Sequence, residues 1–237
     1  MFLAILPLNP IKTELSVRTL KTIEYTLGNT PTHSVICMHG LGASNDDLRP
    51  IAQALALPNL RFVFPQAPRI PVTINHGHAM PGWYDVRSMD FASAIRSDHA
   101  GVDASCDAIK ILLANEQAQY GIKPENTFLM GFSQGGSIAL ELGLHDSQRF
   151  AGLIGLSTLP AKGIKTFEHL SQENRATPIF LAHGSRDNVV PFVVGEHIRD
   201  ILTEKKYQIE WCTVAEDHTI WPEEIAALKQ WFLRVIK

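Results

Sequence analysis

The sequence predicts an α/β fold: a mostly parallel central sheet with helices on both faces. Three observations predict it. Short apolar runs rich in β-branched residues alternate along the chain with segments of helical periodicity. The runs are apolar on both faces, as strands buried between two helix layers must be. Several of them end in Gly or Pro, which mark the loops between elements.

Taken in order, residues 12–27 ("KTELSVRTLKTIEYTL") alternate polar and apolar in part, and predict an outer antiparallel strand or hairpin. "SVICMHG" (34–40) is a buried strand, and "DDLRPIAQALAL" (46–57) an amphipathic helix. "LRFVFPQAP" (60–68) is a strand stopped by prolines. Residues 94–121 carry apolar side chains at helical spacing, with Gly121 as the stop. "NTFLMGF" (126–132) is a strand that runs into a helix at 134–145. "FAGLIGLST" (150–158) and "PIFLAHG" (178–184) are further strands. A helix (190–206), a strand (207–214) and a last helix (222–236, with Pro222 near its first position) close the pattern.

The chain has 237 residues, enough for one good core, and reads as a single domain over 1–237. It is 45% hydrophobic and 19% charged, an ordinary globular balance. Its net charge is −3 with the basic residues scattered, which points away from nucleic acid. Three cysteines far apart, with no CxxC, point away from a disulfide framework or a zinc site. His99, Asp103 and Asp107 share a helix face at metal-like spacing, but no further ligands cluster with them, and a solvated face is expected. The apolar start "MFLAILPLNPI" lacks a basic leader and a cleavage site, and is broken by Pro7 and Pro10. It is expected to cover core or to help dock on another surface. The expected compartment is the cytoplasm.

Chemistry in such sheets sits in the loops after the strands. "GFSQGG" (131–136) has the G-x-S-x-G pattern between a strand and a helix. The sharp turn lifts Ser133 above the sheet at a helix N-terminus, and Gly131 and Gly135 keep Cβ atoms out of the turn. A serine hydroxyl needs a base, and the base an orienting acid. Asp187 and His218 follow in that chain order, each in a post-strand loop. A helix cap is the other job open to Asp187. Backbone N–H groups of Gln134 and of Leu41, in the Gly-rich "MHGLGASNDD", are the candidate oxyanion donors. His39 and His183 each precede a Gly at a strand end and read as shaping loop mouths.

Several linked motifs resemble the carboxylesterase/phospholipase group of the α/β-hydrolases, which includes acyl-protein thioesterases and lysophospholipases: "HGLG" (39–42), "FPQAP" (64–68), "VTINHGHAMPGWYD" (72–85), "GFSQGG" (131–136), "HGSRDNVVP" (183–191) and "DHTIWPEE" (217–224). The resemblance spans about residues 34–230. It implies Ser133 as nucleophile, Asp187 as acid and His218 as base, with Leu41 and Gln134 at the oxyanion, the same five that the residues themselves suggest. His76 stands where the family usually has a glycine. "ASNDD" after "HGLG" is nearer the bacterial esterase-like members, and points away from protein depalmitoylation.

The expected activity is therefore cofactor-free and metal-free hydrolysis of short- to medium-chain carboxylic esters, with thioesters as a further class. Long-chain lysophospholipase or acyl-protein thioesterase action is the alternative, and a non-catalytic binding protein a distant third. Met80, Trp83 and Tyr84, in an apolar aromatic loop (70–84), are the expected acyl-groove residues. Expected partners are a small-molecule or lipid acyl ester, a transient membrane surface and a second copy of the chain.

Overall fold

A computed structural model describes residues 20–88 and 98–236. The N-terminal apolar stretch, residues 12–19 and the start of the expected 94–121 helix lie outside the described residues.

The strands are β1 (Thr22–Thr26), β2 (His33–Met38), β3 (Leu60–Pro65), β4 (Arg69–Val72), β5 (His78–Pro81), β6 (Thr127–Phe132), β7 (Gly152–Leu156), β8 (Ile179–Gly184) and β9 (Ile209–Val214). Seven of them form one sheet in the order β1-β3-β2-β6-β7-β8-β9. All neighbours run parallel except β1, which pairs antiparallel with β3. Strands β4 and β5 make a separate antiparallel hairpin.

Among the described residues five α-helices cover the sheet: α1 (Arg49–Leu55), α2 (His99–Tyr120), α3 (Gln134–His145), α4 (Phe192–Glu204) and α5 (Pro222–Val235). Alternate residues of a strand face opposite sides, and β2 shows the consequence. Ile36 and Met38 join the core under α2, α3 and α4, where Val102, Ile138 and Ile198 are buried. Val35 and Cys37 join the core under α1 and α5, with Leu55, Leu228 and Phe232. Helix α3 is buried from Gln134 to Leu144, so it is held on all sides.

Helix α1 is shorter than its apolar pattern. Ser44 Oγ donates to Asp47 Oδ1 at 2.7 Å, which closes a turn ahead of the helix. Ala56, at φ 49°, ends it. Helix α2 stops at Gly121 (φ 69°), as its sequence predicts. The sheet order reverses between β2 and β6, the place where open α/β sheets build their sites.

Candidate active site

Ser133 follows β6 at the reversal point, and its backbone is in an unusual conformation for a side-chain-bearing residue, φ 52° and ψ −118°. The surroundings fix it there. Its N–H donates to Leu156 O (2.8 Å), and its carbonyl accepts from Ser137 N–H (3.1 Å) and Thr158 Oγ (2.9 Å). The flanking glycines are needed for close approach. A Cβ on Gly135 would stand 2.0 Å from Met38 O, and one on Gly131 2.2 Å from the Gly135 carbonyl carbon.

Asp187 lies in the loop after β8 and His218 in the loop after β9, the neighbouring strand. His218 Nδ1 is 2.6 Å from Asp187 Oδ2. Asp187 Oδ1 accepts two backbone bonds, from Val189 N–H (2.9 Å) and Val190 N–H (2.8 Å). The carboxylate is fully buried, and charge-assisted bonds of this kind are the strong ones. His218 packs on Phe132, ring centroids 4.8 Å apart. Ser133 and His218 face a common cavity of ≈ 750 Å³.

Leu41 and Gln134 also line this cavity, and among the described residues no main-chain acceptor takes either amide. Gln134 is the first residue of α3, so its N–H has no place in the helical ladder. The loop that carries Leu41 is braced from outside. His39 Nδ1–H donates to Gly40 O at 2.7 Å, and its Nε2 accepts from Ala67 N–H at 3.1 Å. Burial lowers the pKa of His39, which suits this neutral tautomer. Gln66, from "FPQAP", accepts from Asn45 N–H at 3.1 Å and meets His39 Nε2.

Of the three residues expected to line an acyl groove, Tyr84 alone is on the wall of this cavity. Trp83 is 2% exposed and lies behind the wall, its Nε1–H donating to His39 O at 2.8 Å. Its polar handle pins the loop that carries Leu41, and it does not reach this cavity. Met80, on β5, receives the Asn75 amide at its sulfur (3.3 Å), and that sulfur lies beside Gly42. The cavity walls come from elsewhere. Leu48, Ile51 and Ala54 of the α1 region, Ile220 and Ile225 on the α5 side, and Leu159, Val189 and Val190 line it.

Asp103 pairs with Lys162 (2.6 Å) and Asp107 lies 3.7 Å from Lys110. Among the described residues no group of three or more His, Cys, Asp or Glu is placed to hold a metal ion. No described helix is long and apolar enough to cross a membrane.

The parallel sheet, the serine on a sharp strand-to-helix turn and the loops beside it define an α/β-hydrolase. The sequence profile of the Phospholipase/Carboxylesterase family matches residues 26–236. The chain belongs to that family and is a hydrolase. It is 37% identical over 220 residues to an acyl-protein thioesterase 1 of Emericella nidulans, covering 86% of this chain and 91% of the relative. It is 32% identical over 236 residues to one of Cryptococcus neoformans, covering 92% and 99%. Among solved structures, Arabidopsis thaliana SOBER1 superposes with a TM-score of 0.77 at 28% identity, covering 86% of this chain and 99% of that one.

Proposed function

We propose that this hydrolase cleaves long-chain acyl thioesters and esters, acyl-proteins included, through a Ser133–His218–Asp187 triad. The observation that carries the substrate class is the ≈ 750 Å³ cavity at Ser133, lined by apolar side chains from the α1 region and the α5 side. The names of the relatives support the same class. Both favour the long-chain alternative over the short- to medium-chain expectation, and they count against reading "ASNDD" as pointing away from protein depalmitoylation.

In this reading Asp187 occupies His218 Nδ1, which leaves Nε2 as the base. Ser133 Oγ attacks the carbonyl carbon as its proton passes to Nε2. The Leu41 and Gln134 amides hold the oxyanion of the tetrahedral intermediate. His218 then gives the proton to the departing thiol or alcohol, leaving Ser133 acylated. Water attacks the acyl-enzyme by the same route, releasing the acid and restoring Ser133.

The test is a series of thioesters and esters from acetyl to palmitoyl, run on the wild type beside Ser133→Ala. Burying one methylene contributes about 0.8 kcal/mol, so kcat/KM should climb roughly fourfold per methylene until the cavity is full. Ala54→Trp and Ile225→Trp should cut the climb short and spare acetyl turnover. A sharp optimum at two to four carbons in the wild type overturns the long-chain reading, and undiminished turnover by Ser133→Ala overturns the triad.

A further inference from the structure

Asp187 has a second imidazole beside it. His183 is the fifth residue of β8, and its Nε2 lies 2.9 Å from Val190 O and 3.3 Å from Asp187 Oδ2. Both neighbours are acceptors, so Nε2 must carry the proton. The bond to Val190 O and the Val190 N–H bond to Asp187 Oδ1 close a ring of contacts around the carboxylate. The turn 187–190 is thereby fastened at both of its ends. His183 is 1% exposed, and it is not on the cavity wall. On its other side the ring abuts α4. A Cβ added to Gly195 would stand 2.4 Å from His183 Nδ1, so only glycine leaves room for the imidazole. Phe192 meets the ring edge-on at 6.0 Å between centroids. Burial lowers the pKa of this histidine, in keeping with a neutral ring.

We infer that His183 is a positioning residue for the acid: its Nε2–H locks the Asp187–Val190 turn and the rotation of the carboxylate, so that Oδ2 stays aimed at His218 Nδ1. The inference rests on the reading of Asp187 as the triad acid. It explains why a second histidine is placed beside Asp187 where it cannot reach a substrate. Without it, the carboxylate keeps its two amide bonds but loses the donor edge flanking Oδ2, and the imidazole of His218 is held less firmly for proton transfer.

The experiment compares His183→Ala, His183→Gln, Gly195→Ala and Asp187→Ala with the wild type, each checked for folding by thermal melting. In His183→Ala, kcat should fall about 10-fold, the upper end for one neutral hydrogen bond, here the one to Val190 O, with KM within about twofold. His183→Gln keeps an N–H donor at the same reach and should recover most of the loss. Gly195→Ala pushes on the ring from the far side and should lower kcat without touching Asp187 or His218. Wild-type kcat in a folded His183→Ala overturns the inference, and equal losses in the Ala and Gln variants reduce His183 to packing and overturn it too. Should the His183 variants fail to fold, nitrogen-15 NMR of the wild-type imidazoles decides. His183 must hold its proton on Nε2, with a shift that moves in Asp187→Asn; a proton on Nδ1 overturns the inference. Asp187→Ala separates the two readings. If it keeps wild-type turnover, the triad reading itself fails, whereas an inactive Asp187→Ala beside a fully active His183→Ala removes the positioning role alone.

Discussion

Gln134 Oε1 accepts a hydrogen bond from Trp83 N–H at 2.9 Å, and the other end of the same amide, Nε2, donates to Tyr84 O at 2.7 Å. One side chain thus ties the residues after the β4–β5 hairpin to the start of α3, next to Ser133. The backbone of Gln134 serves the proposed oxyanion site while its side chain holds the cavity wall.

Gln134→Ala keeps the backbone amide and removes the tie. Two buried hydrogen bonds are lost and two main-chain groups are left unpaired, so stability should drop by about 2–4 kcal/mol in urea titration. Turnover should fall through a looser wall, with long-chain substrates losing more than acetyl esters. A stability within about 0.5 kcal/mol of wild type would show that the tie contributes nothing.

The backbone strain at Ser133 can be separated from its chemistry. Ser133→Ala and Ser133→Gly both lack the hydroxyl, and both should be inert to a fluorophosphonate probe. They differ in tolerance of φ 52°. Relief of a strained conformation, ~1–3 kcal/mol, exceeds the entropy that glycine adds to the unfolded chain, ~0.4–1 kcal/mol. Ser133→Gly should therefore melt above Ser133→Ala. The reverse order would mean that the turn is not strained.

His76 is exposed at the hairpin tip with φ 56°, the left-handed region, in the position where the resembled family has glycine. The next residue, Gly77, is also left-handed at φ 76°. His76→Gly should raise stability by about 0.5–1 kcal/mol and leave short-ester turnover unchanged. A lower melting temperature would show that the imidazole makes a contact worth more than the strain.

Glu224 caps α5 by accepting from Trp221 N–H at 3.1 Å, while its Oε1 is buried without a partner. Burial, and then the charges of Glu223 and Asp187, push its pKa up to about 7, against the opposing bond from Trp221. The folded state therefore holds this proton where the unfolded chain, near 4.5, has released it. Stability from this group is full below about pH 4.5 and is lost as pH rises towards 7, by roughly 3 kcal/mol at most. Glu224→Gln keeps an acceptor for Trp221 and should flatten that part of the stability–pH curve. An unchanged slope between about pH 4.5 and 7 would place the pH dependence elsewhere.

The sheet and helices were legible because buried parallel strands and their covering helices carry strong periodic signals. The helix at 134–145 matches its sequence reading end to end. The β4–β5 hairpin was not legible, since its four-residue strands contain Pro71 and Pro81 and read as loop. Ser133, Asp187 and His218 were singled out through chain order and loop position, which a sequence displays. Trp83 and Met80 were expected at a ligand surface, because an apolar aromatic loop gives no sign of which face the hairpin turns inward. Gln66 and His183 act through partners distant in sequence or across a turn, Gln66 reaching Asn45 and His39. No spacing rule marks such residues, although each lies within a motif already singled out.

On the proposed triad, the last described strand also sets when the chain becomes reactive. β9 pairs at the sheet edge with β8 and is the final strand in chain order, and the contact it brings, His218 to Asp187, spans 31 positions. Parallel pairings between distant segments form slowly. If the proposed triad acts, a chain still emerging from the ribosome carries Ser133 and Asp187 but not yet the His218 imidazole. On that proposal Ser133 stays a plain alcohol until β9 has paired with β8, and acyl transfer waits for the completed sheet.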